Sequence, residues 1–258
     1  MLFLDEGEPT APAVVFLHGI PGSVDWFAAV AERMVADFRV IRIDMQKLGV
    51  DDDFSAVART APLIALLNDL DLTDVTVVGH SFGAEIALEL AATSNRVARV
   101  VVVGQAPDYQ AARIPAIAKW VVRPWSVRLA QRWTPGTVIR LGSRPSFARR
   151  FRYDSAPGLA DALVRDFRAA LPAGLAYAVG ARVDDFAAGP LDSRVQALEQ
   201  PVLAIHGRYD NLYDSTETLA RYAAAGAVTH LVEHAGHSPQ VEQPDEFVSV
   251  LGEFIRSH

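Results

Sequence analysis

Cysteine is absent from all 258 residues, and that omission removes disulfides, thiolate metal sites and a cysteine nucleophile, while leaving the redox compartment undetermined. No stretch approaches the roughly 18 consecutive apolar residues of a membrane span. The opening Met1-Leu-Phe-Leu-Asp-Glu-Gly-Glu-Pro9 lacks the basic start and apolar run of a signal peptide, so a cytoplasmic protein with no membrane span is expected. The seven histidines show no metal-binding spacing such as His-Glu-x-x-His, so neither a metal nor a cofactor is expected. Internal repeats and low-complexity tracts are also missing. A net charge of −7 argues against a nucleic-acid partner; the tryptophans and arginines that follow Pro107 make a small molecule, apolar or carboxylate-bearing, the expected one.

Half of the residues are hydrophobic, enough for one large core with an insertion. Short apolar runs at Ala13–Leu17, Val40–Ile43, Val75–Val78, Val100–Val103 and Val202–Ile205 read as buried parallel strands. Stretches with helical spacing lie between them, notably Asp25–Ala36, Phe54–Leu70 and Phe82–Ala92. The alternation predicts an α/β protein with a doubly wound, mostly parallel sheet, closed by a last strand at Val228–Val232 and a helix over 244–256. Ligands in such sheets sit beyond the carboxyl ends of the strands. Here those ends carry His18-Gly19, Asp44, Gly79-His80-Ser81, Gly104 and His206-Gly207.

From Pro107 the pattern changes. Eight of the 15 prolines fall between there and Pro190 and divide the segment into helical pieces holding Trp120, Trp125 and Trp133. Between Pro107 and Val195 there are 14 Lys and Arg against 7 Asp and Glu, whereas the rest of the chain holds 10 against 24. Residues 107–195 are therefore expected to form a helical cap inserted into a core built from 1–106 and 196–258. Tryptophans at this spacing are expected to pack between cap helices and core. Arg149, Arg150 and Arg152 are expected either to face substrate carboxylates or to pair with the acidic core.

Gly79-His80-Ser81-Phe82-Gly83 fits Gly-x-Ser-x-Gly between a strand and a helix whose Ala84, Ala87 and Ala91 are small. A strained strand-to-helix turn of that kind projects a serine into a site, and its glycines permit the close backbone approach. A serine hydroxyl needs a base and a group that fixes the base's tautomer. His237, after the last strand, is the candidate base, and Asp210, after the strand ending at Ile205, the candidate acid. The chain order Ser, Asp, His suits this arrangement.

These motifs together resemble the α/β-hydrolase superfamily over nearly the whole core: His18-Gly-Ile-Pro-Gly22, Gly79–Gly83, Gly207-x-x-Asp210, and Gly236-His237 followed by Glu242-x-Pro244. The resemblance implies an α/β-hydrolase fold with the cap after the family's sixth strand, and an oxyanion hole made by the backbone N–H groups of Ile20 and Phe82, whose side chains would be pocket wall. It also implies a serine esterase, with carbon–carbon hydrolases, lactonases and small-ligand receptors as alternatives. The turn after Asp44 departs from the family pattern, with a single glycine, Gly49, before Asp51–Asp53. That aspartate run reads as a solvated helix start. The family's first strand is expected to be missing or shortened.

Rivals for the assigned roles have structural readings. His234 lacks a preceding glycine. Asp214 opens a capping box with Glu217 for a helix over 215–225. Asp108 follows the strand ending near Gly104, where some relatives carry the acid. His18, His80 and His206 are expected to make loop hydrogen bonds.

Overall fold

The computed structural model describes residues 1–46, 48, 53–110 and 121–258; Gly49, Asp51, Asp52 and Trp120 lie outside the described residues. Every apolar run read as a strand is one. β2 (Ala13–Leu17), β3 (Arg39–Ile43), β4 (Val75–His80), β5 (Val97–Val103), β6 (Val202–Gly207) and β7 (Val228–Val232) run parallel. The four-residue β1 (Phe3–Glu6) pairs antiparallel with β3 at the edge, from Phe3 opposite Ile43 to Glu6 opposite Val40. The order is β1-β3-β2-β4-β5-β6-β7.

The strands are continuously apolar because both faces of the sheet are covered. Successive residues point to opposite sides: Val14 and Phe16 pack with Phe27, Val30 and Phe247, while Ala13, Val15 and Leu17 pack with Leu63, Ile86 and Leu88. Helices α1 (Ala28–Met34) and α12 (Pro244–Ser257) cover the first face. Helices α2 (Ala56–Asp69), α3 (Phe82–Thr93) and α10 (Ser215–Ala224) cover the second. Their starts are specified locally. The Ser55 hydroxyl accepts from the N–H of Ala58, and the Asp214 carboxylate accepts from the N–H groups of Thr216 and Glu217, so Asp214 is a helix cap. Asp53 accepts from the N–H of Ser55 just before α2.

Between β5 and β6 the described residues contain helices and no strand: α4 (Pro124–Trp133), α5 (Gly136–Ser143), α6 (Leu159–Ala169), α7 (Pro172–Val179), α8 (Ala181–Ala188) and α9 (Leu191–Ala197). Prolines set several of their starts, as first helical residue at Pro124 and Pro172 and as N-cap at Pro135 and Pro190, where a missing N–H costs nothing. Trp125 and Trp133 do not pack against the core as expected; they are 68% and 69% exposed. Val127 and Gln131 occupy the inward side of α4 instead, with Val127 buried and the Gln131 amide bonded to the carbonyls of Phe167 and Ala170. Among the described residues no helix is long and apolar enough to cross a membrane.

Candidate active site

Ser81 joins β4 to α3 with φ 52° and ψ −110°. This left-handed backbone costs a non-glycine residue roughly 1–3 kcal/mol, and the neighbours enforce it. A Cβ on Gly79 would overlap the carbonyl of Gly83, and one on Gly83 would overlap that of Leu17. The Ser81 N–H donates to the carbonyl of Val103 (2.8 Å), and its own carbonyl accepts from the N–H of Ala84 (3.1 Å). Among the described residues no hydrogen bond engages the Ser81 hydroxyl, which borders a pocket of about 140 Å³.

His237 borders the same pocket. Its Nδ1 lies 2.9 Å from Asp210 Oδ2 in a hydrogen bond, so the ring nitrogen facing Asp210 carries the proton and Nε2 is left as the basic one. Asp210 is buried, and its other oxygen accepts from the N–H groups of Leu212 (2.7 Å) and Tyr213 (3.3 Å). Burial alone would raise this carboxyl; the charge and hydrogen bond of His237 and the adjacent His206 outweigh it and hold Asp210 well below the usual carboxylate range. His206 Nε2 stands 2.9 Å from the same Asp210 oxygen, four residues away in the chain. Asp210 thus sits between two histidines, of which the spacing singled out one.

His18 and His80 make loop hydrogen bonds, as expected; His206 instead faces Asp210. His80 Nε2 donates to the carbonyl of His237 at 3.0 Å. Burial, aided by His237, pushes the His80 ring down to about 3, so it stays neutral beside the site. His18 Nε2 accepts from the N–H of Met45 (3.0 Å), which leaves Nδ1 to donate to the carbonyl of Gly19 (2.7 Å). That pair of bonds fixes the turn leading to Ile20, whose side chain lines the pocket. Phe82 does not line it. As first residue of α3 its ring is buried in the core against Tyr177 and under the guanidinium of Arg182. Its N–H is one of the four that a helix N-terminus leaves without an intrahelical partner.

Two groups next to the site escaped sequence reading. Arg182, from α8, is buried against α3: Nε donates to Glu85 (3.0 Å), Nη1 to the Tyr109 hydroxyl (3.0 Å), and Nη2 to Gln105 and to the carbonyl of Ser81 itself (both 3.3 Å). Glu242, from α11 (Pro239–Glu242), was noticed only as part of a motif. Its carboxylate accepts from the N–H groups of Gly236 (2.8 Å), Ser238 (3.3 Å) and Ala148 (2.8 Å). The N–H of His237 donates to the carbonyl of Ser146 at 3.0 Å. The His237 loop is therefore laced to the segment after α5. No local spacing signals the Arg182–Glu85 pair, which joins residues 97 apart.

The rival residues lie elsewhere. His234 is exposed. Asp108 accepts from Arg221 Nη1 (2.8 Å) and the N–H of Gln110 (2.8 Å). Arg152 pairs with Asp154 on the surface, and Arg149 and Arg150 are exposed, with no ion pair among the described residues. The pocket wall is completed by Trp26, Phe147, Leu163 and Phe167. Its one carboxylate, Asp166, accepts from the Trp26 indole (2.8 Å), Ser23 (3.0 Å) and Arg165 (3.2 Å). Among the described residues no Lys or Arg lines the pocket.

Comparison with known proteins matches residues 14–250 to the α/β hydrolase family. The 2-hydroxymuconate semialdehyde hydrolase of Pseudomonas sp. (strain CF600) is 27% identical over 94% of this chain and 86% of that protein. The 2-succinyl-6-hydroxy-2,4-cyclohexadiene-1-carboxylate synthase of Klebsiella pneumoniae (strain 342) is 25% identical over 98% of both. Among solved structures, a thermophilic esterase from Thermogutta terrifontis superposes with a TM-score of 0.78, covering 99% of this chain and 93% of the other at 23% identity, a likeness of fold.

Proposed function

The chain belongs to the α/β-hydrolase family, and on that footing we propose that it hydrolyses short, uncharged carboxylic esters with Ser81 as nucleophile. One observation carries the reading: a serine held in a left-handed turn opens onto the same pocket as a histidine whose far nitrogen is bonded to a buried carboxylate.

Ser81 Oγ attacks the ester carbonyl carbon while His237 Nε2 takes the hydroxyl proton, and Asp210 stabilises the imidazolium so formed. The N–H groups of Ile20 and Phe82 receive the oxyanion, with the N-terminal dipole of α3 adding to them. Collapse of the tetrahedral intermediate expels the alkoxide, which leaves as alcohol with the His237 proton. Water then gives a proton to His237, attacks the acyl-enzyme and releases the acid, restoring Ser81. In the free protein a serine–histidine contact is often long and tightens with substrate.

Residues 107–195 act as a cap in this reading, with Ser143, Phe147, Leu163 and Phe167 bordering the pocket. At about 140 Å³ the pocket lies well below the roughly 300–1,000 Å³ of drug-sized sites, which favours a short acyl group. Carbon–carbon hydrolysis of a diketone acid by the same groups needs a cation for the acid, and the described wall offers Asp166 instead. Arg182, the buried cation nearest Ser81, is already bonded to Glu85. Lactone opening uses the same steps as ester cleavage.

The test is turnover of short and medium acyl esters, lactones and diketone acids by wild type and Ser81→Ala. Short esters should be preferred, and Ser81→Ala should lose roughly 10⁴-fold or more in kcat. Full activity in Ser81→Ala would refute the mechanism. Tight binding of one compound with turnover of none would make the protein a receptor.

A further inference from the structure

The exposed face of α4 is the strongest feature that ester chemistry leaves unused. Trp125, Leu129 and Trp133 recur every fourth residue, so they share one side of the helix. All three are exposed, as are Val138 and Leu141 on α5. This is no core stripe turned outward, because Val127 and Gln131 hold the opposite side of α4 against the protein. Arg128 and Arg132 flank the apolar row, are exposed, and have no ion pair among the described residues. The Arg132 guanidinium lies 5.4 Å from the Trp133 ring centroid. In a chain of net charge −7, the sequence from Val121 to Tyr153 contains eight arginines and no acidic residue.

We propose that the exposed face of α4 is a peripheral docking surface for an anionic lipid bilayer. Indole rings favour the boundary between headgroups and acyl chains, and arginines beside them reach lipid phosphates while their stems stay in apolar surroundings. Charge complementarity selects the occupant. A second copy docked through the same face would set Arg128 and Arg132 against their own counterparts, which like-charge repulsion opposes; Arg140 and Arg152 are already paired with Asp161 and Asp154. A nucleic acid would satisfy the arginines and leave Leu129 in water. The apolar row and the cations are used together at an anionic membrane surface. Gln131 ties α4 to α6, and Phe167 of α6 lines the Ser81 pocket, so docking would set that pocket wall about one helix diameter from the lipid. The inference does not rest on the ester reading.

Flotation of the full chain with vesicles tests it, using phosphatidylcholine alone and phosphatidylcholine with roughly a third phosphatidylglycerol. Wild type should float with the anionic vesicles only and be released by salt. Trp125→Ala/Trp133→Ala and, separately, Arg128→Glu/Arg132→Glu should each lower partitioning at least about tenfold, with thermal midpoints kept near wild type to show that both fold. Three outcomes would overturn the proposal: no flotation with anionic vesicles, equal flotation of the variants, or a wild-type dimer that the tryptophan variant converts to monomer, which would assign the face to a second copy.

Discussion

Replacing Arg182 by methionine should be the most damaging single change outside the residues assigned to the reaction. Methionine keeps an apolar chain of similar length and removes the guanidinium that lies over the rings of Phe82 and Phe186. Burial opposes that charge, yet Tyr109 and Glu85 around it hold the guanidinium above its ordinary range, so it stays ionised at any working pH. Without it, the buried Glu85 keeps one distant cation, Arg194 at 3.9 Å. Removing one partner of a buried pair costs roughly 3–5 kcal/mol, whereas removing both is often close to neutral. At about 2–4 °C per kcal/mol for a chain of this size, the midpoint of Arg182→Met should fall by roughly 10 °C. Arg182→Met/Glu85→Leu should recover most of the loss, giving a coupling of at least about 2 kcal/mol in a double-mutant cycle followed by thermal unfolding. The carbonyl of Ser81 also loses a donor, so kcat for a short ester should drop in Arg182→Met with little change in KM. A loss below about 1 kcal/mol, or two single effects that simply add, would refute the reasoning.

Glu242 supplies a prediction in pH. Burial pushes its carboxyl up to about 7 from an ordinary 4.5, against the backbone donors that pull it down. A carboxyl raised in the folded chain contributes its full stability below the unfolded value and loses it as pH rises through about 7. Thermal midpoints of wild type should therefore fall between roughly pH 5 and 8 relative to Glu242→Gln, and a constant difference would contradict the assignment. At neutral pH the same variant should lower kcat, because an amide NH₂ replaces one acceptor of the His237 loop and leaves a buried N–H unpaired, at about 1–3 kcal/mol. Gly104 sits at φ +62°, and a Cβ there would strike the carbonyl of His237. Gly104→Ala should cut ester turnover at least about tenfold while far-UV circular dichroism stays native; unchanged kinetics would show that the loop moves freely.

Much of the core could be read in the chain because burial on two faces forces both parities of a strand to be apolar, which is how Val75–Val78 and Val100–Val103 announced themselves. The residues expected to form the site came from the same logic, since each follows such a run. Ser81, His237 and Asp210 stand out as candidates because turns with glycine punctuate strand ends. Phe82 was misplaced because the first residue of a helix can face either the pocket or the core, and only packing against Tyr177 and Arg182 decides which. Trp125 and Trp133 were misread for a related reason: helical spacing shows that they share a side of α4 without showing which side meets the protein. His206 and Arg182 act through partners whose positions the fold sets, so their own neighbourhoods gave no sign.

The hydrogen bond from Arg182 to the carbonyl of Ser81 has a consequence for how such proteins can be recombined. A foreign helical segment grafted between β5 and β6 would bring its own pocket lining but no cation for Glu85 and no Ser146 carbonyl for the N–H of His237. The graft would strand a carboxylate one helical turn behind the serine and loosen the histidine at the same time. A sound chimaera has to exchange residue 85 together with the segment, so the lining of the pocket in this chain is inherited as a unit with the geometry of its serine turn.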